Sequence, residues 1–166
     1  MPDDRLAVSR ASPNPTDPIR VAVMGLGAIG REIARVLARK RWADLVAAVD
    51  VDPALEGRPL AEVAELDRQV GVEITPSLGI DCDLVAHATV SDLESAVHQI
   101  VPHLEDGRSV VSTCEELAFP LNDRLARRLD EAAREGESTV LGTGINPGFL
   151  LDALPAALTV SCQRVD

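Results

Sequence analysis

Three glycines, Gly25, Gly27 and Gly30, have the spacing G-x-G-x-x-G with which proteins hold the diphosphate of a dinucleotide. A mostly apolar run, residues 19–24, precedes them and is typical of a buried parallel strand. Apolar side chains then recur at helical spacing over residues 31–39. In this context the first glycine permits a tight turn, the second lets the backbone approach the diphosphate, and the third lets the helix pack closely. The helix N-terminus offers unpaired N–H groups to phosphates.

The sequence therefore predicts a nucleotide site in this loop, and the alternative is only a tight turn between strand and helix. The predicted cofactor-binding residues of the loop are Gly25, Leu26, Gly27, Ala28, Ile29 and Gly30.

Asp50 ends a second apolar run and lies twenty positions after Gly30. At this spacing a carboxylate can accept hydrogen bonds from the ribose hydroxyls of adenosine. The alternative is that Asp50 only begins the turn that continues with Asp52. Since a carboxylate repels a 2′-phosphate, Asp50 favours NAD, with NADP as the alternative because Arg58 could oppose that preference.

Glu115 and Glu116 follow the predicted strand 107–113, at the strand end where catalytic groups of open parallel sheets collect. One of these carboxylates could act as a base or stabilise a developing cation. The alternative is a solvated helix start, because acidic residues favour helix N-termini in any case. His87 and Thr89 end the strand 83–89 in the same way, and for His87 a purely structural, hydrogen-bonded role is the alternative to a cofactor contact.

The elements that must position these residues alternate between strands and helices, which predicts an α/β fold with a doubly wound parallel sheet of about six strands. Ser91 is predicted to cap the third helix, and Pro102 to end or kink it. Pro155 is predicted to kink or break the last helix. The predicted strands are 19–24, 45–50, 72–75 (or an extended loop), 83–89, 107–113 and 138–142; the predicted helices are 31–39, 57–70, 92–105, 121–135 and 149–160.

Composition excludes several classes of protein. The net charge is −11 and no basic run is longer than residues 39–41, which argues against a nucleic-acid partner. No apolar stretch reaches the length of a membrane span, and the N-terminus lacks the apolar core of a signal peptide. Three cysteines without C-x-x-C spacing favour neither a disulfide framework nor a zinc site, so no metal is expected. A cytoplasmic protein is therefore expected.

The 166 residues suffice for one domain. Residues 1–18 contain four prolines among polar residues and are predicted to be a disordered leader, which leaves residues 19–166 as the dinucleotide-binding Rossmann domain.

Three segments together resemble one family: residues 21–30 with Asp50, residues 110–120 (VVSTCEELAFP), and residues 141–155 (LGTGINPGFLLDALP). They are similar to the N-terminal domain of dihydrodipicolinate-reductase-like proteins, in particular the group of 2,4-diaminopentanoate dehydrogenase and native amine dehydrogenases. The resemblance implies hydride transfer between NAD(P) and an amine or imine carbon, with a small amine or amino acid as substrate. The alternatives are a non-catalytic nucleotide- or partner-binding Rossmann module, and a related reductase of a C=N bond.

The resemblance also implies roles for individual residues. The three glycines and Asp50 would hold the adenosine diphosphate half, and the Cys-Glu-Glu motif would supply the carboxylate that faces the amine, by Glu115 or Glu116. The residues implied near the nicotinamide or the substrate edge are His87, Ala88, Thr89, Thr113, Asn146 and Gly148.

Related full-length enzymes continue into a second, substrate-binding domain, and they form oligomers. This chain lacks that domain and the His-His and Lys motif of true dihydrodipicolinate reductases, so we expect no turnover by the chain alone. The predicted last helix carries six apolar side chains, which favour self-association over packing on the helix's own sheet. These residues are Phe149, Leu150, Leu151, Leu154, Leu158 and Val160.

Overall fold

The computed structural model describes residues 17–164. All but the last two residues of the predicted leader lie outside this range. The strands are β1 (Ile19–Met24), β2 (Ala43–Val49), β3 (Ile74–Thr75), β4 (Leu84–His87), β5 (Ser109–Ser112) and β6 (Val140–Gly142). The helices are α1 (Ala28–Ala38), α2 (Leu60–Val63), α3 (Leu93–Glu105), α4 (Asp123–Glu135) and α5 (Leu154–Thr159). A 3-10 turn, Glu115–Ala118, precedes α4, and a π-helical segment, Ile145–Ala153, precedes α5.

The six strands form one parallel sheet in the order β3-β2-β1-β4-β5-β6. The predicted α/β fold with a doubly wound parallel sheet is therefore confirmed. The strands are short and apolar because both faces of the sheet are covered. The order reverses between β1 and β4, and in open parallel sheets ligands bind at the carboxyl end of such a switch point.

Two apolar layers enclose the sheet. On one side α1 and α2 pack against β1 and β2 around Leu26, Leu60 and Ile74, all almost fully buried. On the other side α3 and α4 pack against β4 and β5 around Ile100 and Leu104. The part of the chain that the structure describes has no helix that is long and apolar enough to cross a membrane.

Two helix predictions were wrong in extent or capping. The second helix, predicted over residues 57–70, comprises only Leu60–Val63, because the backbone of Glu65 adopts a positive φ of 51° that no α-helix accommodates. The third helix is capped by Asp92 and not by Ser91: the Asp92 carboxylate accepts a hydrogen bond from the Ser95 N–H at 2.8 Å.

The effects predicted for the two prolines are met only in part. Helix α3 does not end at Pro102 but continues to Glu105; Pro102 is exposed, so solvent can satisfy the carbonyl that its missing N–H leaves unpaired. Pro155 lies in the first turn of α5, where a prolyl nitrogen costs no helical hydrogen bond. The segment changes from π-helix to α-helix at Leu154, next to Pro155, in agreement with the predicted break.

The C-terminal segment does not pack into the sheet. Helix α5 has no buried residue, and the exposed fractions of Phe149, Leu151 and Leu158 are 54%, 69% and 70%. Phe119 and Leu121, which flank the end of the 3-10 turn, are 79% and 85% exposed. An apolar surface therefore extends over this end of the molecule.

Candidate cofactor and active site

A row of backbone hydrogen bonds joins the carboxyl ends of neighbouring strands. In each bond, the residue after one strand donates its N–H to a carbonyl at the end of the next strand. The pairs are Asp50 to Thr75 (3.1 Å), Gly25 to Val49 (2.8 Å), Ala88 to Met24 (2.8 Å), Thr113 to His87 (3.0 Å) and Thr143 to Ser112 (2.9 Å). The structure thus brings the predicted residues Gly25, Asp50, Ala88 and Thr113 to one edge of the sheet.

The three glycines of the motif are required for different reasons. A Cβ on Gly30 would lie 1.7 Å from the carbonyl oxygen of Gly25, and a Cβ on Gly25 would lie 2.5 Å from the carbonyl oxygen of Ala88. Gly25 also has a positive φ of 88°. In contrast, a Cβ on Gly27 would meet nothing within 4 Å, and the φ of Gly27 is −67°. The fold therefore needs glycine at 25 and 30, whereas Gly27 adjoins open space.

Helix α1 begins in this loop with unpaired donors. The N–H groups of Gly27, Ala28, Ile29 and Gly30 have no acceptor among residues 17–164, and the first helical bond is donated by Arg31 to the Gly27 carbonyl at 3.1 Å. No side chain caps the helix, and its first turn has no acidic residue. Gly27, Ala28 and Ile29 are exposed, so their N–H groups can serve an anion, whereas Gly30 is buried.

Asp50 is half-buried beside this loop, and its carboxylate accepts two backbone hydrogen bonds. One oxygen accepts from the Leu26 N–H at 2.6 Å and the other from the Asp52 N–H at 2.9 Å. The alternative interpretation, that Asp50 begins the turn that continues with Asp52, therefore describes part of the role of Asp50. Since each carboxylate oxygen can accept more than one hydrogen bond, ribose hydroxyls can still donate to Asp50. Arg58 forms an ion pair with Glu62, so its charge is already partly compensated.

His87 is fully buried, and both ring nitrogens are hydrogen-bonded. Nδ1 lies 2.9 Å from Ser112 Oγ, and Nε2 lies 2.9 Å from Gln99 Oε1 and 2.8 Å from Thr89 Oγ1. An amide oxygen only accepts, so the arrangement requires a proton on Nε2 and a Ser112 hydroxyl that donates to Nδ1. Burial lowers the pKa of His87, against the opposing effect of the Gln99 hydrogen bond, so the ring is held neutral.

This placement of His87 agrees with the alternative of a structural, hydrogen-bonded role. Contact of His87 with a cofactor stays a prediction. The exposed end of the network is Thr89, while Ala88 is half-buried beside the glycine loop. Sequence reasoning missed Ser112 and Gln99. The sequence does show Ser112 as a polar residue at the end of a buried strand, but no local pattern indicates that its side chain contacts His87.

The two glutamates of the 3-10 turn have different surroundings. The Glu116 carboxylate accepts a hydrogen bond from the Leu93 N–H at 2.9 Å and so caps the N-terminus of α3. Glu115 is exposed and has no hydrogen bond or ion pair with the described residues. The turn is held from its other side by Gly142, where a Cβ would lie 2.5 Å from the Ala118 nitrogen. Both side chains are exposed, but of the two only Glu115 has no partner among the described residues.

Cys114, which precedes the glutamates, is buried and its thiol donates to the Ser91 carbonyl at 3.1 Å. Burial raises the pKa of this thiol, so it is not poised as a nucleophile. Its backbone N–H donates to Ser112 Oγ at 3.0 Å, which links the turn to the His87 network.

Asn146 and Gly148 lie in the π-helical segment, which contacts the 3-10 turn. Asn146 is exposed; Gly148 has a φ of 119° and donates its N–H to Asp152 Oδ2 at 2.8 Å. The fold therefore brings this segment beside the glutamates, while a role at the nicotinamide edge stays a prediction. Within the described residues no group of three or more His, Cys, Asp or Glu side chains could hold a metal ion.

Comparison with known proteins identifies similar dehydrogenases. No protein-family model matches the chain. The chain is 31% identical over 155 residues to 2,4-diaminopentanoate dehydrogenase of Acetoanaerobium sticklandii, covering 89% of this chain and 44% of that protein. Its structure matches amine dehydrogenase from Mycobacterium smegmatis with a TM-score of 0.79 and 28% identity, covering 91% of this chain and 46% of that one. The predicted resemblance to this group of dehydrogenases is confirmed.

A second similar structure is GenD2 from gentamicin A biosynthesis in complex with NAD, with a TM-score of 0.57 and 26% identity over 80% of this chain and 36% of that one. The chain spans less than half the length of all three proteins. It matches the nucleotide-binding part of such dehydrogenases.

The buried neutral histidine predicts a specific pH dependence of stability. Because the pKa of His87 is lower in the folded than in the unfolded chain, its contribution is complete above the ordinary value of 6.5 and is lost as the pH falls below it. We expect the free energy of unfolding, measured with urea, to decrease between about pH 7.5 and about pH 5.5. His87→Gln should be less stable at the higher pH and should lose less on acidification.

Part of the loss should remain in that variant, because burial and then the nearby Arg108 also lower the pKa of His103. His98→Gln is the matched control, since His98 is exposed on the same helix. Equal pH dependence of His87→Gln and the unaltered chain would show that His87 does not titrate in this way.

Proposed function

We propose that this chain is the NAD-binding part of an amine-dehydrogenase-like oxidoreductase, which transfers a hydride between the nicotinamide and an amine or imine carbon. The observation that carries the proposal is Gly27: its φ suits any residue and its Cβ would meet no atom, so the fold does not need glycine there. A diphosphate that approaches the backbone does need it. The similarity to GenD2, which was solved with NAD, supports the same cofactor here.

In this proposal the unpaired N–H groups at the start of α1 bind the diphosphate, and Asp50 accepts hydrogen bonds from the adenosine ribose. The exposed Thr89 hydroxyl and the neighbouring Ala88 and Thr113 line the path towards the nicotinamide. When bound, the nicotinamide supplies the hydride acceptor or donor. The residues of this chain only bind it, orient it and place charge beside it.

Glu115 is the proposed catalytic carboxylate. It lies at the carboxyl edge of the sheet, it is exposed, and its turn is fixed by the Glu116 bond to α3 and by the close packing of Gly142. A carboxylate there can accept a proton from the amine or stabilise the cationic imine. The substrate proposed from the named relatives is a small amine. A cytoplasmic location stays a prediction.

The first test of the proposal is the substitution Gly27→Val. We expect the unaltered chain to bind NADH, measurably but weakly, in calorimetric titration. The valine side chain would fill the space that the diphosphate needs, so binding should be lost. The midpoint of thermal unfolding should change little, because no protein atom lies within 4 Å of the added Cβ.

Gly30→Ala serves as the contrasting variant. Its Cβ would meet the Gly25 carbonyl oxygen, so it should lower the unfolding midpoint clearly. Undiminished NADH binding by folded Gly27→Val, or no binding by the unaltered chain, would contradict the proposed function.

The second test concerns the choice of cofactor. We expect NADH to bind more tightly than NADPH, because the Asp50 carboxylate would face the 2′-phosphate. Asp50→Asn keeps an oxygen for the Leu26 N–H but removes the charge, so the preference should shrink by about tenfold. Asp52→Asn is the matched control, since Asp52 lies in the next turn and accepts from the Ala54 N–H. A preference for NADPH in the unaltered chain, or an unchanged preference in Asp50→Asn, would remove Asp50 from the ribose.

We further propose that the chain self-associates through its apolar C-terminal segment. The exposed side chains of Phe149, Leu151, Leu158 and Val160 each contribute roughly 1.5–3 kcal/mol when fully buried, which is enough to offset the cost of association. Sedimentation velocity should show a sedimentation coefficient that rises with concentration. Leu151→Asp should reduce this rise, whereas Val36→Glu, on the exposed side of α1, should not. A single monomeric species at all concentrations would contradict self-association.

A further inference from the structure

Leu26, the residue between the first two glycines of the motif, is held at three points. Its N–H donates to Asp50 Oδ2 at 2.6 Å, its carbonyl accepts from Arg31 Nε at 2.7 Å, and its side chain is 1% exposed in the core beneath α1. Both backbone contacts are charge-assisted hydrogen bonds, which are the strong class. The orientation of the two peptide groups that flank Leu26 is therefore fixed by one acidic and one basic side chain.

Arg31 binds two consecutive carbonyls of this loop. Its side chain takes the Leu26 carbonyl, and its backbone N–H takes the Gly27 carbonyl at 3.1 Å. Unpaired, these carbonyls would compete with an incoming phosphate for the N–H groups of residues 27–30 and would repel it. With both carbonyls engaged by Arg31, the N–H groups at the start of the helix are left to an anion.

The guanidinium of Arg31 also has unused capacity. Only Nε of its five N–H donors has a hydrogen bond with the described residues, and no carboxylate forms an ion pair with it there. This contrasts with two arginines that follow it: Arg35 in α1 pairs with Glu32 and Glu65, and Arg39, at the C-cap of α1, pairs with Asp67. Among residues 17–164, therefore, no carboxylate compensates the positive charge of Arg31 at the glycine loop, although the whole chain has a net charge of −11.

We infer that Arg31 is a positioning residue for diphosphate binding, which acts by holding the Leu26 carbonyl and thereby the glycine loop. The inference rests on the proposed function, since it concerns the same nucleotide site. Nothing in the motif itself assigns this role, because the spacing of the glycines leaves the residue after Gly30 open. Asp50 binds the N–H of Leu26 and Arg31 binds its carbonyl. The proposed ribose contact and the proposed phosphate loop are therefore both connected to Leu26.

The chain supplies a matched control on the same helix. Arg35 Nε donates to the Ala64 carbonyl at 2.7 Å, the same kind of bond at the same length, but one turn further from the loop. Replacing Arg35 removes a comparable hydrogen bond and a positive charge without touching Leu26. Loss of stability is therefore common to both substitutions, whereas loss of diphosphate binding is specific to Arg31.

The test compares ADP and adenosine as probes in calorimetric titrations of the full chain. Arg31→Gln should weaken ADP binding by about tenfold and adenosine binding by less than about twofold, because only ADP contacts the phosphate loop. Arg35→Gln should leave both affinities within about twofold. Arg31→Lys, which keeps the charge and a donor, should recover part of the ADP affinity. Thermal unfolding of each variant establishes that it is folded at the temperature of titration.

The outcomes separate the two hypotheses. No ADP binding by the unaltered chain overturns the proposed function and the role of Arg31 with it. ADP binding that is equal in the unaltered chain and Arg31→Gln overturns the role of Arg31 alone, as does an equal loss for ADP and adenosine. If Arg31→Gln does not fold, the milder Arg31→Lys decides. Weaker ADP binding by Arg31→Lys than by Arg35→Gln, with adenosine binding unchanged, would support the inference. Equal ADP binding by these two variants would reject it.

Discussion

The contact between Gly30 and the carbonyl oxygen of Gly25 sets the position of α1 on the sheet. A methyl group at Gly30 would lie 1.7 Å from that oxygen, and one at Gly25 would lie 2.5 Å from the oxygen of Ala88. The end of β1, the start of α1 and the end of β4 therefore meet with no room for a side chain. Because they meet there, the N-terminus of the helix points its unpaired donors at the carboxyl edge of the sheet, where the other candidate residues lie.

The positions of the strands other than β3, and the alternation of strands with helices, follow from the sequence, because strands buried on both faces are continuous apolar runs between turns. The position of the glycine motif is likewise predictable, since the strand, the loop and the helix are adjacent in the chain. The extent of α2 does not follow, because local propensity does not indicate that Glu65 adopts a positive φ. The choice of Asp92 over Ser91 as a cap depends on a shift of one residue in where the helix starts, which sequence patterns rarely resolve.

Candidate-site residues were predictable where their role is local and not where it depends on distant partners. The spacing of Gly30 and Asp50 indicated a carboxylate beside the loop, and the structure has its oxygen 2.6 Å from the Leu26 nitrogen. The network of His87 joins Gln99 and Ser112, twelve and twenty-five residues away, and has no periodic signature. The same is true of the bond between Glu116 and Leu93, so the sequence alone left the two glutamates equivalent.

The hydrogen bond between Glu116 and Leu93 also restricts the backbone that carries the exposed carboxylate of Glu115, the proposed catalytic group. A catalytic group needs a rigid support, and Glu115 itself has no hydrogen bond that would orient it among the described residues. Its turn is instead fixed from three sides: Glu116 ties it to the start of α3, Gly142 lets β6 pack against the Ala118 nitrogen, and Ser112 Oγ binds the Cys114 N–H. The buried partners of the turn thus restrict the backbone of Glu115 while leaving its side chain to a ligand. In the proposed site, Glu116 supports the turn and Glu115 is the residue that would act on the substrate.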